Sequence, residues 1–125
     1  SSLKRFSMEC GGNAPFIVFE DADLESAINL GAALKVGNSG QICVAPNRFL
    51  VHDTVIDDFT EGIRKKFATT KLGFGEAEQP DMGPLTNQGS VEKVNDIVQQ
   101  ARAQGAEGSG SAIGKHREGR LSAAR

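Results

Sequence analysis

The sequence predicts a layered α/β fold built on a parallel sheet. The apolar run at residues 16–19 and the segment 46–51 have the character of β-strands, and each is followed by a stretch with helical spacing of apolar residues. Alternation of strand and helix is typical of parallel sheets, because a helix carries the chain back between the strands. Two strands do not form a stable parallel sheet alone, so we expect the chain to be part of a larger domain.

The first strand is predicted at residues 16–19, Phe-Ile-Val-Phe, and its unbroken apolar run predicts burial on both faces. The first helix is expected over residues 22–36, with Asp21 as its N-cap and acidic residues in its first turn. Its inward face is formed by residues at three- and four-residue steps, namely Leu24, Ala27, Ile28, Gly31 and Leu34.

The second strand is predicted at residues 46–51, and Asp53 is the candidate N-cap of the second helix. The apolar stripe of that helix consists of Val55, Ile56, Phe59, Ile63 and Phe67. Residues 69–89 are rich in Gly, Pro, Asp and Asn and predict a long surface loop. A loop of this length is usually functional, or packs on something outside the chain.

A third helix is expected over residues 90–104, with Gly105 as its stop. The residues predicted to face inward are Val91, Val94, Ile97, Val98 and Ala101. From Glu107 onward large apolar residues are scarce, and we expect residues 107–125 to be disordered. The predicted division is therefore a folded segment at 1–106 and a tail at 107–125.

The charge balance argues against two classes of partner. Lys and Arg total 14 and Asp and Glu total 16, a net charge of −2, whereas nucleic acids and anionic membranes favour a basic face. No apolar run approaches the roughly 18 residues of a membrane span, and the first residues do not resemble a signal peptide. We therefore expect no nucleic acid and no membrane as a partner.

The two cysteines, Cys10 and Cys43, form no disulfide framework and are expected to be free thiols in a reducing compartment. The predicted localisation is cytoplasmic, with the mitochondrial matrix as the alternative. The short spacings of a zinc site are absent among the two cysteines, His52 and His116, so no metal is expected.

Cys43 is the candidate nucleophile. It ends residues 38–43, Asn-Ser-Gly-Gln-Ile-Cys, between a predicted helix and strand, where loops present functional side chains. The thiolate is the reactive form of cysteine and needs a base close in space, for which Glu9 in residues 8–13 is the candidate. Asn38 and Gln41 are expected to hold the loop rather than to react. The plain alternative is that Cys43 is a small core residue and Glu9 a solvated one.

These two stretches together resemble the paired motifs of the aldehyde dehydrogenase family. Residues 8–13, Met-Glu-Cys-Gly-Gly-Asn, are similar to its glutamate motif, and residues 38–43 are similar to its cysteine motif. The separation of 34 residues from Glu9 to Cys43 is the usual one in the family. Residues 13–23 and 82–94 are most similar to the succinate-semialdehyde dehydrogenase branch. The resemblance covers residues 4–106, and Cys10 replaces the usual leucine.

The resemblance implies an NAD(P)⁺-dependent oxidation of an aldehyde, such as succinate semialdehyde, to the carboxylic acid. By this analogy Cys43 adds to the carbonyl carbon, hydride leaves for NAD or NADP, and Glu9 activates the water that hydrolyses the thioester. The backbone of Cys10 and Gly11 would contact the nicotinamide. The dinucleotide-binding domain would lie mostly outside this chain, which would be inactive by itself, and full-length relatives would be homo-oligomers.

Two other hypotheses remain open at the level of sequence. The chain is either a non-catalytic piece or interaction module that binds no cofactor, or a thiol redox sensor that uses Cys10 and Cys43.

Overall fold

The computed structural model describes residues 3–75 and 77–108. Its elements in chain order are β1 Ala14–Val18, α1 Leu24–Val36, a short 3-10 helix Gly37–Gly40, β2 Pro46–Val51, α2 Ile56–Thr69 and α3 Gln88–Ala103. The two strands pair in parallel, with Phe16 opposite Phe49 and Ile17 opposite Leu50. The predicted α/β class with a parallel sheet is confirmed, and β2 has the predicted ends.

The core lies on one face of the sheet, beneath α1 and α2. Phe16 and Phe49 lie side by side on the strands with ring centroids 5.4 Å apart, and Phe59 of α2 packs on both at 6.4 and 5.6 Å. Phe59 and Val18 are almost fully buried. Clusters of aromatic rings at these distances gain energy beyond their area burial, so this trio anchors α2 to the sheet.

Two glycines allow α1 to approach its neighbours closely. A Cβ placed on Gly31 would lie 3.0 Å from the Phe49 ring and 3.6 Å from Ile63 Cδ1. A Cβ on Gly62 would overlap the end of the Ile28 side chain and would lie 3.0 Å from its Cγ1. Gly31 thus lets α1 pack closely on Phe49 of β2, and at Gly62 a larger residue would require the Ile28 side chain to shift.

The opposite face of the sheet is uncovered by the described residues. Ile17 is 56% exposed, Phe19 64% and Leu50 52%, and together with Ile56 they border an open groove of about 410 Å³. The prediction that the first strand is buried on both faces is therefore wrong for this chain. Successive side chains of a strand point to opposite faces, and α1 and α2 both pack on the same one.

The helix starts differ from two predictions. Asp23, not Asp21, caps α1, because its carboxylate accepts hydrogen bonds from Ser26 N at 3.1 Å and Ser26 Oγ at 2.8 Å. These bonds favour the charged form and lower the pKa of Asp23. Asp53 does not cap α2: the cap position is Val55, which has no side-chain cap bond.

The third helix begins at Gln88, capped by Asn87, whose Oδ1 accepts from Ser90 N at 2.9 Å. Gly105 follows its end with φ +91°, the left-handed conformation that favours glycine, which confirms the predicted stop. Val91 is buried as predicted, but Ile97 is 54% exposed and Ala101 is also exposed. The predicted inward face is therefore only partly covered by the residues that the structure describes.

The two ends of the long connection between α2 and α3 meet at residues 71–72 and 81–82, which form a closed neck. Lys71 O accepts from Asp81 N at 2.9 Å and from Met82 N at 3.2 Å, and Asp81 Oδ2 accepts from Lys71 N at 2.8 Å. Leu72 and Met82 form an isolated parallel bridge. This neck carries the chain from the end of α2 to residues 83–86, which lie beside the Cys43 loop.

Most of the tail at 107–125 falls outside the described residues, so its predicted disorder and the boundary at 106 stay predictions. In the described ranges, no helix combines the length and apolar character that crossing a membrane requires.

Candidate active site

Cys43 lies at an exposed turn between α1 and β2. The helix ends at Val36, a short 3-10 turn follows, and Ala45 N then donates to Ile42 O at 3.1 Å. This turn places Cys43 just before Pro46, the first residue of β2, with its thiol free and exposed. The Lys35 side chain fixes the same end of the strand by donating from Nζ to Pro46 O at 3.0 Å.

The backbone before Cys43 is held in an unusual conformation. Asn38 and Ser39 have φ of +48° and +58°, and Gly40 has +73°. For the two residues that carry a Cβ, such a conformation costs about 1–3 kcal/mol each and persists only where the surroundings enforce it. Backbone strain of this kind is concentrated at functional sites.

Asn38 and Gln41 close this loop on itself. Asn38 Nδ2 donates to Gln41 O at 3.1 Å, and Gln41 Nε2 donates to Asn38 O at 3.1 Å. Both side chains are thus used by the loop, which confirms the prediction that they hold it.

A remote segment, residues 83–86, also holds the loop. Ser39 Oγ donates to Gly83 O at 2.7 Å. Gln41 Oε1 accepts from Thr86 N at 2.9 Å and from Thr86 Oγ1 at 2.6 Å. Sequence reasoning did not assign a role to Ser39 or Thr86. The available signal was the length of the loop at 69–89, which predicts a function without saying which residues carry it.

The glutamate motif meets the cysteine loop at Gly12. A Cβ on Gly12 would overlap the Cys43 carbonyl oxygen and would lie 3.3 Å from the Cys43 carbonyl carbon and 3.5 Å from its Cα. The two motifs, separated in sequence by a strand and a helix, are therefore in backbone contact. Only a residue without a Cβ fits at this contact.

The structure shows no hydrogen bond between the Glu9 carboxylate and the Cys43 sulfur. Glu9 is exposed and forms no hydrogen bond with a described residue. Glu9 is three residues before Gly12, and three residues of extended chain span at most about 10 Å. The Cα of Glu9 therefore lies within that distance of the Cα of Gly12. The pairing of Glu9 with Cys43 stays a prediction.

The predicted cofactor contacts are sterically open. Cys10 and Gly11 are exposed, and a Cβ on Gly11 would meet nothing within 4 Å. A planar ring is therefore free to approach this backbone, so the residues present fit a nicotinamide, and the contact itself stays a prediction. Within residues 3–75 and 77–108, no three His, Cys, Asp or Glu side chains are grouped as a metal would require.

Two cavities lie away from this site. One, of about 460 Å³, lies between α1 and α2 beside Ile28 and Gly62, and the other is the groove on the uncovered sheet face. Neither is lined by Cys43 or Glu9.

Comparison with known proteins gives a family match over nearly the whole chain. The model of the aldehyde dehydrogenase family matches residues 1–121, which extends beyond the boundary predicted at 106. A succinate-semialdehyde dehydrogenase [NADP(+)] of Schizosaccharomyces pombe is 45% identical over 105 residues, 84% of this chain and 21% of that protein. The glutarate-semialdehyde dehydrogenase of Pseudomonas putida is 43% identical and is covered over 22% of its length.

Solved structures of aldehyde dehydrogenases share the fold of this chain. Betaine aldehyde dehydrogenase of Staphylococcus aureus, solved in complex with NAD⁺, superposes with a TM-score of 0.77 at 31% identity. The match covers 88% of this chain and 21% of that one. The chain thus spans about a fifth of the length of the proteins it matches.

Proposed function

Because this chain belongs to the aldehyde dehydrogenase family, we propose that the protein containing it oxidises an aldehyde to a carboxylic acid with NAD⁺ or NADP⁺. Cys43 is the nucleophile and Glu9 is the base that activates water. The observation that carries this proposal is the contact of Gly12 with the Cys43 backbone, which puts the cysteine and glutamate motifs side by side. The exposed thiol at the end of a strained and hydrogen-bonded loop supports it.

The substrate class follows from the most similar relatives. Their names specify succinate semialdehyde and glutarate semialdehyde, which are aldehydes with a carboxylate at the other end. A dicarboxylic semialdehyde is therefore the substrate class that we assign, and the expected localisation remains cytoplasmic or mitochondrial. We expect the full-length protein to be a homo-oligomer.

In the first step the Cys43 thiolate attacks the aldehyde carbon. A carbon–sulfur bond forms, and the carbonyl π electrons move to oxygen, which becomes an oxyanion. The Cys43 backbone N–H donates to no described residue, so it is free to donate to this oxyanion. One such donor contributes roughly 3 kcal/mol to transition-state stabilisation in comparable sites.

An aldehyde carbon carries no leaving group other than hydride. Formation of the covalent adduct on Cys43 allows this hydride to depart. NAD(P)⁺, when bound, supplies the hydride acceptor, and the adduct on Cys43 becomes a thioester. Glu9 then takes a proton from water, the hydroxide oxygen bonds to the thioester carbon, and the carbon–sulfur bond breaks. Cys43 leaves as the thiolate, ready for a second turnover.

The 125-residue chain alone is proposed to be inactive. Its sheet has an uncovered apolar face bordered by Ile17, Phe19 and Leu50, and Cys10 and Gly11 are its only assigned cofactor contacts. Formation of NADH or NADPH by the isolated chain with an added aldehyde would contradict this. A titration with NAD⁺ and NADP⁺ tests the non-catalytic alternative, which tight binding would rule out.

Replacement of Cys43 by Ala in a full-length aldehyde dehydrogenase that carries these residues tests the role of the thiol. Loss of the nucleophile removes the covalent route, so aldehyde-dependent formation of NADPH should fall by a factor on the order of 10³ or more. Lys93→Ala, an exposed substitution on α3, is the control and should retain activity. Full activity in Cys43→Ala would refute the assignment.

A second candidate function is thiol redox sensing. Both thiols are free and exposed, and Gly12, two residues from Cys10, contacts Cys43. Hydrogen peroxide would accept two electrons and two protons from the thiols as the disulfide forms. An intramolecular loss of two hydrogens, measured by mass spectrometry of the treated chain, would favour this function.

A further inference from the structure

We propose that residues 83–86 are a brace that holds the Cys43 loop in its reactive geometry, with Thr86 and Ser39 as positioning residues. This inference rests on the proposed role of Cys43 as nucleophile. Neither residue contacts the thiol: each acts through the loop that carries it. The brace is defined as residues 83–86 together with their hydrogen bonds to Ser39 and Gln41.

The first contact of the brace passes through Gln41, two residues before Cys43. Its Oε1 accepts both the backbone N–H and the hydroxyl of Thr86, at 2.9 and 2.6 Å. Its Nε2 donates to Asn38 O at 3.1 Å. The Gln41 carboxamide therefore connects Thr86 to Asn38, at the start of the loop. Its rotation is blocked because its oxygen accepts hydrogen bonds and its nitrogen donates one.

The second contact is at Ser39, one of the two loop residues that carry a Cβ and have a positive φ. Ser39 has φ +58° and carries a Cβ, and its hydroxyl donates to Gly83 O at 2.7 Å, with Pro84 O at 3.3 Å. A left-handed non-glycine residue relaxes unless its surroundings hold it. The bond from Ser39 to the brace is the external contact that holds it.

The brace is itself anchored to a rigid element. Its chain emerges from the closed neck in which Lys71, directly after α2, pairs with Asp81 and Met82. Pro84 has a fixed φ, which removes one degree of freedom at the centre of the brace. On the other side of the loop, Lys35 Nζ bonds to Pro46 O. Cys43 is thus fixed from both sides.

Such positioning has consequences for reactivity. Nucleophilic attack requires the sulfur within about 3–3.5 Å of the carbonyl carbon in a correct orientation, and a displacement near 1 Å costs about a hundredfold in rate. Loosening of the loop should therefore reduce the reactivity of Cys43 without any change to Cys43 itself.

The test compares the two thiols of the 125-residue chain, with Cys10 as the internal reference. The chain is treated with iodoacetamide, and alkylation of the two cysteine peptides is followed by mass spectrometry. The rate ratio of Cys43 to Cys10 should exceed one in buffer and fall toward one in urea. Thr86→Val and Ser39→Ala should each lower the ratio in buffer by about threefold or more.

Two matched variants sharpen this test. Thr86→Ser keeps the hydroxyl and should restore the ratio. Thr69→Val removes a hydroxyl bond of similar length, from Thr69 Oγ1 to Lys66 O at 3.0 Å, at the end of α2, and should leave the ratio unchanged. Far-UV circular dichroism is recorded for each variant, because a positioning role requires that the helix content is kept.

Each of three outcomes would overturn the brace: equal ratios in buffer and urea, an unchanged ratio in Thr86→Val, or a loss of helix content that parallels the loss of the ratio. The readout requires no dehydrogenase activity, so it is separate from the test of the proposed function. A full-length protein with a braced Cys43 that oxidises no aldehyde would refute that function and leave the brace intact.

Discussion

Gly12 is the residue at which the two functional motifs meet. Its Cα faces the Cys43 main chain so closely that a Cβ would overlap the carbonyl oxygen. A Cβ on the adjacent Gly11 would meet nothing within 4 Å. Two adjacent glycines of one motif therefore have different physical reasons to be glycine, one for contact within the chain and the other, by our assignment, for access of the cofactor.

Gly12→Ala should disturb the site, because the Cys43 backbone cannot move aside as a flexible side chain would. We expect the free energy of unfolding to fall by about 1–3 kcal/mol, as in other overpacked sites. Urea unfolding followed by circular dichroism measures this loss. Gly11→Ala is the matched control, and equal stability losses in the two variants would refute the distinction.

The sequence predicts roles for single residues but not the contacts that hold them. The roles of Cys43 and Glu9 are predicted from motif and spacing. The bonds from Ser39 to Gly83 and from Thr86 to Gln41 join residues 44 and 45 apart. Such contacts depend on how α2 and the long loop pack, and local propensity carries no information about that packing.

At the scale of elements, helix starts depend on which N–H groups a side chain reaches. Asp21 and Asp23 are both acceptable caps by residue type, and only Asp23 has Ser26 N three residues ahead at a helix start. The sequence therefore places a helix there and leaves its cap uncertain by two residues. β2 is located correctly because Pro46 is tolerated as the first residue of a strand and Phe49, Leu50 and Val51 favour strand structure.

Asn87→Ala tests the assignment of Asn87 as the N-cap of α3. Loss of the bond from Ser90 N to Asn87 Oδ1 should lower the free energy of unfolding by about 1 kcal/mol. Asp53→Ala is the counterpart, since Asp53 caps no helix here, and its effect should stay within about 0.5 kcal/mol. A larger loss in Asp53→Ala than in Asn87→Ala, measured by urea unfolding, would contradict the finding that Asp53 does not cap α2.

At the scale of the whole molecule, the uncovered sheet face explains why the sequence suggested a larger domain. β1 is apolar on both faces, as in buried parallel sheets, and α1 and α2 cover only one. The chain spans about a fifth of its relatives. Exposed apolar surface of this kind favours association with further protein.

Ile17 and its neighbour Val18 allow a test of this surface, because they point to opposite faces. Ile17→Thr should reduce self-association of the isolated chain in sedimentation velocity and change stability little, since Thr keeps strand propensity. Val18→Thr, at a position only 2% exposed, buries a hydroxyl and should lower stability by about 1–3 kcal/mol. An isolated chain that stays monomeric with Ile17 intact would contradict the account.

The most direct measurement of the central claim is capture of the thioester on Cys43. In a full-length enzyme carrying these residues, Glu9→Gln keeps the nucleophile and removes the base for hydrolysis. After reaction with succinate semialdehyde and NADP⁺, peptide mass spectrometry should find the acyl group on Cys43 and none on Cys10, with no accumulation in a Glu25→Gln control. Continued turnover of Glu9→Gln at the unmodified rate, or an acyl group absent from Cys43, would contradict the proposed pairing.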